Sequence, residues 1–433
     1  MNVIFFNDEK CNQESFLVLV LTFFFPIVGL IYSLYHWRAS WAKNTFWLAC
    51  IYMGAVQIFH PEGTILGDGA DGGRYVLDLI SMHVNVHSFT DVVKVFYDGS
   101  TLDVYQKTLT FIISRFTDNG HVLFFFFAVV FGFFYSRNIW YVLDKLPEKF
   151  NKYLWVLILF YFLVCPIWLI NGVRMWTATH VFVYGAMPYV FERNKSKLIW
   201  CLASILVHHS FIFPILILVI FFLIPQNSKI GKKTLTLLFL FYLVSLFVKT
   251  VNLTALADTL TQYLPDYYDN RITGYVNEDA LERRLDAATQ LSWHVGFAQQ
   301  VGYWIIQILI IMSFFALNKV INKSKWIIPL FMFSLLMYGA SNILSYVPSG
   351  GRYLIIAQMF MIPSLLLILT RVQLHSYLKA LLPLCMFCLV FTDIFEIRKL
   401  FDFYGITLLV GNFITMFFVE SNTPLITLVK QIF

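Results

Sequence analysis

Three arginines and a pair of histidines carry the residue types and positions that suggest chemistry. Arg174 stands in INGVRMWTATH, Arg352 in PSGGRYLI and Arg74 in GADGGRYV, while His208 and His209 precede Ser210 in ILVHHSF. Arg174 and Arg352 open long apolar runs, where a guanidinium is costly unless it is paired or wetted. No acid lies within one helical turn of either, so their counter-charges come from distant residues, from headgroups or from a ligand. Arginine offers a planar fork that matches phosphate. Glycine pairs, Gly72–Gly73 and Gly350–Gly351, precede two of the three arginines. Such pairs let backbone approach a ligand closely and present its amides. Helices starting just after Gly172 and Gly351 would add their positive N-terminal ends. Together these features describe a site for an anion of the diphosphate kind.

The other groups near these cations fit more than one role. The two histidines point in different directions on a helix, so at most one of them faces a shared cleft. Asp68, Asp71, Asp78 and Asp103 are candidates to pair with the arginines or to act as a base. Tyr75, Trp176, Tyr346 and Tyr353 fit an aromatic belt at a membrane surface, and equally fit platforms for sugar faces.

The elements that must hold these groups follow from composition. Of 433 residues 59% are hydrophobic and 13% charged, with 46 Phe, and mean hydropathy is +0.71. A soluble domain carries about 25% charged residues, so a soluble enzyme is excluded. Apolar runs of this length are spanning helices, because backbone polar groups in hydrocarbon must be bonded within their own segment. The alternation of a β-barrel is absent. The expected fold is an all-α polytopic integral membrane protein, a single transmembrane domain over 1–433 with about 12–13 spans. Candidate spans are 15–35, 44–60, 121–141, 153–170, 174–191, 197–208, 211–225, 234–252, 300–318, 326–346, 353–370, 378–393 and 403–419. The sixth and seventh are short and read as one broken pair meeting at His208–Ser210.

The loops between spans alternate in charge. One set carries Arg38/Lys43, Lys145/Lys149/Lys152, Arg193/Lys195/Lys197, Lys229/Lys232/Lys233, Lys319/Lys323/Lys325 and Arg371/Lys379. With Arg137 and Lys430 these make 18 of the 31 Lys and Arg. The positive-inside rule makes this set cytoplasmic, the N-terminus external and the C-terminus cytoplasmic. Arg74, Arg174, Arg352, His208 and His209 then all face outward. Two long segments share that side. Residues 61–120 include DVYQKTLTFIISRF (103–116), expected to form an amphipathic helix at the membrane surface. Residues 253–299 are expected to form a polar, aromatic external cap. The six cysteines show no disulfide or zinc pattern. The net charge of +6 is spread over short loops and does not imply nucleic acid.

Several stretches resemble one family. NGVRMWTATHVFVYGAMPYVF resembles the arginine-bearing opening of a span in the EpsG-like branch of Wzy-type polysaccharide polymerases. KSKLIWCLASILVHHSFIFPILIL is similar to that family's next element, a short helix ending in an L-x-H-x-S junction. DVYQKTLTFIISRFTDNGHVLFFFFAVVFGFFY resembles its segment before the third span, and Arg352–Tyr353 resembles its late R-Y pair. Met175 departs from the family's Gln, and Ala178 stands for a fuller run of small residues.

The resemblance implies a glycosyltransferase of GT-C-like architecture in the bacterial inner membrane, with its active site facing the periplasm. It would move a growing glycan from undecaprenyl diphosphate to the sugar end of a new undecaprenyl-diphosphate-linked oligosaccharide. No cofactor, metal or nucleotide sugar is implied, and membrane lipid and a chain-length regulator are the expected partners. His208, Arg174 and Arg352 are then the expected catalytic residues. Arg74, Asp71, Tyr75, Trp176, His209, Tyr353 and Gly351 are expected to bind substrate. The alternatives are an O-antigen-ligase-type transferase and a flippase for lipid-linked sugars. A flippase would show mid-membrane charges and an inverted repeat, and the sequence shows neither.

Overall fold

The apolar runs fold as helices because a helix takes up its own backbone N–H and C=O groups where no water can. The computed structural model describes residues 9–59, 71–97, 103–224, 228–248, 292–318, 327–347, 349–372, 376–418 and 423–432. Six helical stretches among them are long and apolar enough to cross a membrane, and shorter helices complete other crossings. The protein is therefore an all-α polytopic membrane protein.

The first crossing is kinked. Helix α1 (Glu9–Phe24) gives way to α2 (Pro26–Tyr35), because Pro26 has no N–H to continue the ladder and so restarts the helix in its first turn. After a turn, α3 (Ala42–Ala55) lies antiparallel to α7 (Gly120–Leu143), with Phe46 on Tyr135, Cys50 on Gly132 and Gly54 on Ala128. Between these two lie α4 (Asp71–Asn85), α5 (Phe89–Tyr97) and α6 (Val104–Ser114).

A continuous apolar stretch, 154–192, is two crossings. Helix α8 (Leu154–Val164) stops before Pro166, a 3-10 turn follows at Ile167–Gly172, and α9 (Val173–Glu192) runs back. His180 Nε2 lies 2.9 Å from the Cys165 carbonyl oxygen, which places the two legs side by side.

The expected sixth and seventh spans form a re-entrant hairpin. Helix α10 (Ile199–Val207) has 9 residues, about 13 Å of rise against about 30 Å of hydrocarbon. It stops at a turn, His209–Phe211, from which α11 (Ile212–Leu223) departs. Phe211 packs on Phe182, and Phe222 packs on Tyr189 farther along α9. Thus α11 returns toward the end from which α10 entered, and the His208–Phe211 apex stays inside the bundle.

The remaining long helices are α12 (Ser228–Ser245), α13 (Trp293–Asn318), α14 (Ile327–Leu344), α15 (Arg352–Arg371) and α16 (Ser376–Phe403). Of the expected cap at 253–299, residues 253–291 lie outside the described residues, and residues 293–299 are the first turns of α13.

The thirteenth expected span, 403–419, does not form. It holds α17 (Thr407–Val410) and a 3-10 turn, Thr415–Phe417. Asn412 breaks the helix, because its Oδ1 accepts from the backbone N–H of Ile414 and Thr415, a side-chain turn that competes with the helical ladder. The segment lies over one end of the bundle. Ile58 N–H donates to the Phe403 carbonyl, Tyr52 Oη to Thr407 O, and Phe413 stacks on Phe23. Helix α18 (Leu425–Ile432) begins there, with Leu425 N–H on Tyr404 O. The expected cytoplasmic C-terminus depended on this crossing and loses its basis.

Basic loops gather at the opposite end. Lys145 pairs with Glu192, Arg371 donates to the Lys145 carbonyl and Arg38 to the Pro147 carbonyl. Helix α6 forms within the expected stretch 103–116. Its polar residues Gln106, Lys107, Thr110 and Ser114 are buried, whereas Val104 and Ile112 are about half exposed. The helix therefore packs its polar residues into the protein together with Ile113, and leaves Val104 and Ile112 outward. Polar groups are cheaper against partner groups than against hydrocarbon.

Gly185 sets the depth of the hairpin. A Cβ there would lie 2.8 Å from the Cys201 backbone nitrogen and 3.0 Å from the Lys197 carbonyl oxygen, so backbone would have to move. Gly185→Val should therefore destabilise the chain by about 1–3 kcal/mol, read as a lower thermal midpoint of the protein in detergent. An unchanged midpoint would show that α10 is not held by this contact.

Candidate functional site

Asp103 opens α6 as its N-cap, yet its side chain makes no capping bond to its own helix. The carboxylate turns instead to three residues far away in sequence. Arg174 NH1 donates to Oδ2 at 3.2 Å. His208 Nδ1 lies 2.9 Å from Oδ2, and His209 Nδ1 lies 2.9 Å from Oδ1. The His209 backbone N–H also donates to Oδ1 at 2.9 Å. A carboxylate has about four lone-pair sites, and all four are used. The Asp103 side chain is 1% exposed, His208 14%, Arg174 21% and His209 30%. The acid is sealed while its partners reach toward an opening.

Three breaks in helical structure create this convergence. Gly172 precedes α9 as its N-cap and puts Arg174 in the first turn. The β-region backbone of His208 ends α10, and the following 3-10 turn presents both imidazoles at the apex. The start of α6 supplies Asp103. The apex is backbone without helical partners, and Asp103 takes up the free His209 N–H.

Burial opposes ionisation of Asp103, but hydrogen bonds from His208 and His209 outweigh it and hold its carboxyl well below the usual carboxylate range. An ionised carboxylate only accepts, so each facing Nδ1 carries the proton. Burial also pulls His208 below its ordinary value of 6.5, against the opposing pull of Asp103, so at pH 7 the ring is neutral. Its Nε2 is then a bare acceptor. Neither histidine's Nε2 has a partner among the described residues. This is a base with its tautomer fixed by an acid behind it.

Tyr75 completes the support of Arg174. Nε of Arg174 donates to Tyr75 Oη at 3.1 Å. Burial pushes the buried Tyr75 phenol up to about 12, so it keeps its own O–H to donate. Arg115 donates to the Met82 and Val86 carbonyls at the end of α4, and His83 Nδ1 lies 2.5 Å from Ser114 O. These contacts clasp α4 to α6 and set the position of Tyr75.

The other expected site residues stand at different distances from this centre. Tyr353 Oη donates to the Ser210 carbonyl at 3.2 Å, tying the start of α15 to the histidine turn. Arg352 is the first residue of that helix after Gly351, is exposed, and has no ion pair among the described residues. Both arginine-bearing helices therefore begin at the same end of the bundle, opposite the basic loops. Arg74 is not drawn into the cluster; it pairs with Asp71 one turn back on α4 and is exposed. Asp78 lies among Arg74, Lys107 and Gln106, and burial raises its carboxyl. The Trp176 indole folds over Gly172. The glycine rationale is corrected at two positions. Gly72 lies within α4 against the Asn171 side chain, and Gly350 lies against the Leu344 carbonyl. Both permit packing. Gly351, by contrast, has open space beside it.

Asp103 was legible in the sequence only as one of four outward acids. What singles it out is position at the start of a helix whose polar face must be buried.

Asp103, His208 and His209 each place one ligand atom within 4.8 Å of the others, a donor set that zinc accepts. The observed arrangement favours hydrogen bonding. The histidines use different carboxylate oxygens, and the cationic Arg174 shares one of them. A divalent ion would have to displace these bonds and sit beside a guanidinium.

These features define a class: a polytopic all-α membrane protein with a carboxylate–histidine–arginine centre at one end of its bundle. Its family is equally clear. Residues 67–422 match the EpsG family; the chain belongs to that family and is a membrane protein of the polysaccharide-polymerase type. Curated proteins and solved structures give no match.

The geometry predicts the titration of His208. Followed by NMR of labelled histidine, its midpoint should lie below 6.5. Asp103→Asn removes the charge that raises it, so the midpoint should fall further. A rise in that variant would contradict the tautomer assignment. Asp103→Ala should cost about 3–5 kcal/mol, as expected when a buried partner of charged groups is removed.

Proposed function

We propose that the protein polymerises undecaprenyl-diphosphate-linked oligosaccharide repeat units at the periplasmic face of the bacterial inner membrane. The single observation that carries this reading is the Asp103 cluster. One carboxylate orients a neutral histidine base beside an arginine, next to the start of a second arginine-bearing helix. The cluster lies at the end opposite the basic loops, and the positive-inside rule assigns that end to the outside.

In this mechanism a hydroxyl of the incoming lipid-linked repeat gives its proton to His208 Nε2. Its oxygen bonds to the anomeric carbon of the growing chain. The bond from that carbon to the lipid diphosphate breaks, and the electron pair leaves with the phosphate oxygen. Arg174, with part of its fork free, and Arg352 stabilise the developing charge, with Arg74 at the entrance. Fixed donors in a water-poor site do this with little reorganisation. Asp103 holds the base in position and stabilises the imidazolium that forms; His209 and Tyr75 brace the same groups. A general base of this kind contributes on the order of 10²–10⁴ in rate. The helical architecture is consistent with a GT-C-like transferase, and a chain-length regulator is the expected partner.

The test uses purified protein and lipid-linked repeat units. Arg174→Lys should lose about 10²-fold or more in rate, because lysine cannot both keep Asp103 and Tyr75 and present a fork. Arg352→Ala should shorten the product ladder while the protein stays folded. Polymerisation should persist in EDTA, whereas loss reversed by zinc would reassign the Asp103 cluster to a metal. Normal ladders from both arginine variants would remove the diphosphate clamp. A single transfer to a lipid core would instead indicate a ligase-type enzyme.

A further inference from the structure

A second opening lies at the same end of the bundle, and no residue of the Asp103 cluster lines it. It is a cavity of about 390 Å³ between the ends of α12, α13, α14 and α15, within the roughly 300–1,000 Å³ typical of small-molecule sites. Its wall combines Gln299, Gln300 and Asn342 with Tyr303, Trp304 and Tyr346. Among the described residues that line it, none is an acid, a lysine, an arginine or a histidine, which separates this wall from the charged cluster in chemistry as well as in place.

A rigid polar base backs the wall. Asn342 Nδ2 donates to Ser245 Oγ at 2.9 Å, and Ser245 Oγ donates to Tyr242 O at 2.6 Å. Below them Tyr242 bonds Gln307, whose Nε2 donates to the Tyr303 carbonyl at 3.2 Å and to Tyr338 Oη at 3.3 Å. Buried polar networks of this kind fix the side chains they contain. Gln299, Gln300 and Trp304 are exposed, so amides and a ring face stand ready for a ligand.

We infer that this cavity is a binding subsite for the neutral sugar rings of the glycan. Carboxamides supply paired donors and acceptors that match vicinal hydroxyls. Aromatic faces cover the apolar C–H side of a sugar ring, and the described wall offers a diphosphate no cation. Leu354 of α15 lines the cavity in the helical turn that Arg352 opens, so the cavity and Arg352 share the start of one helix and a chain of several sugars attached to a diphosphate at Arg352 could span the two. This deepens the proposed function and rests on that reading for the source of the glycan, but the binding itself needs no catalysis.

The probe is a set of lipid-free, phosphate-free oligosaccharides released by mild acid from the host strain's own polysaccharide. Binding is measured by saturation-transfer NMR with the full chain in nanodiscs. Wild type should bind saturably, and Asp103→Asn should bind equally well. Trp304→Ala and Gln300→Ala, both at exposed positions where folding is little affected, should each weaken binding by about tenfold, the loss of one good contact. The assignment is overturned if wild type binds no sugar, if neither cavity variant weakens binding, or if phosphocholine displaces the sugar from the aromatic residues. Sugar binding by a wild-type protein that makes no polymer from lipid-linked repeats would sustain the cavity assignment and count against the proposed reaction.

Discussion

Taking a carboxylate out of water costs several kcal/mol unless donors replace its hydration, and the Asp103 side chain is almost wholly out of water. Four hydrogen bonds from three residues on two separate stretches meet that cost. The donors come from the start of α9 and from the apex of the α10–α11 hairpin, so the carboxylate joins three stretches that are far apart in sequence. Without it, a guanidinium and two imidazoles would face each other in a confined space. The orientation of His208, the partial engagement of Arg174 and the docking of α6 all depend on this one ion.

The arrangement explains why the helices around the centre are interrupted. A continuous span offers no free backbone donor and few polar side chains at depth. The short α10, the 3-10 turn after it and the 3-10 turn before α9 expose backbone polar groups inside the bundle; the Trp168 carbonyl accepts from Gln57 Nε2 and the His209 N–H donates to Asp103. Irregular backbone at membrane depth is tolerated only where protein or water supplies such partners. Gly185 lets α10 approach α9 closely enough for the apex to reach Asp103. The charged centre and the uncharged cavity then lie at one end, linked by the start of α15, while lysine- and arginine-rich loops occupy the other.

Much of this was legible residue by residue. The starts of α9 and α15 after Gly172 and Gly351 agree with the sequence reading, as does the meeting of the short sixth and seventh elements at the histidines. The absence of any local acid near Arg174 correctly pointed to a remote partner, found 71 positions away. The errors have physical causes. Residues 403–419 are apolar enough to pass for a span, but Asn412 and its turn break the helix. Gly72 and Gly350 serve packing where ligand contact was expected.

Hydropathy and charge along the chain were enough to establish a membrane protein, the helical form of its spans and the residue types available for chemistry. These depend on local hydropathy and on charge near span ends, which a chain displays in order. It took the packing of distant helices to show that Asp103, among four candidate acids, receives Arg174 and both histidines, and that amides and rings of α13 and α14 meet around one cavity. Such choices arise from which faces of distant helices pack together, and packing is a property of pairs of surfaces that no single stretch of sequence contains.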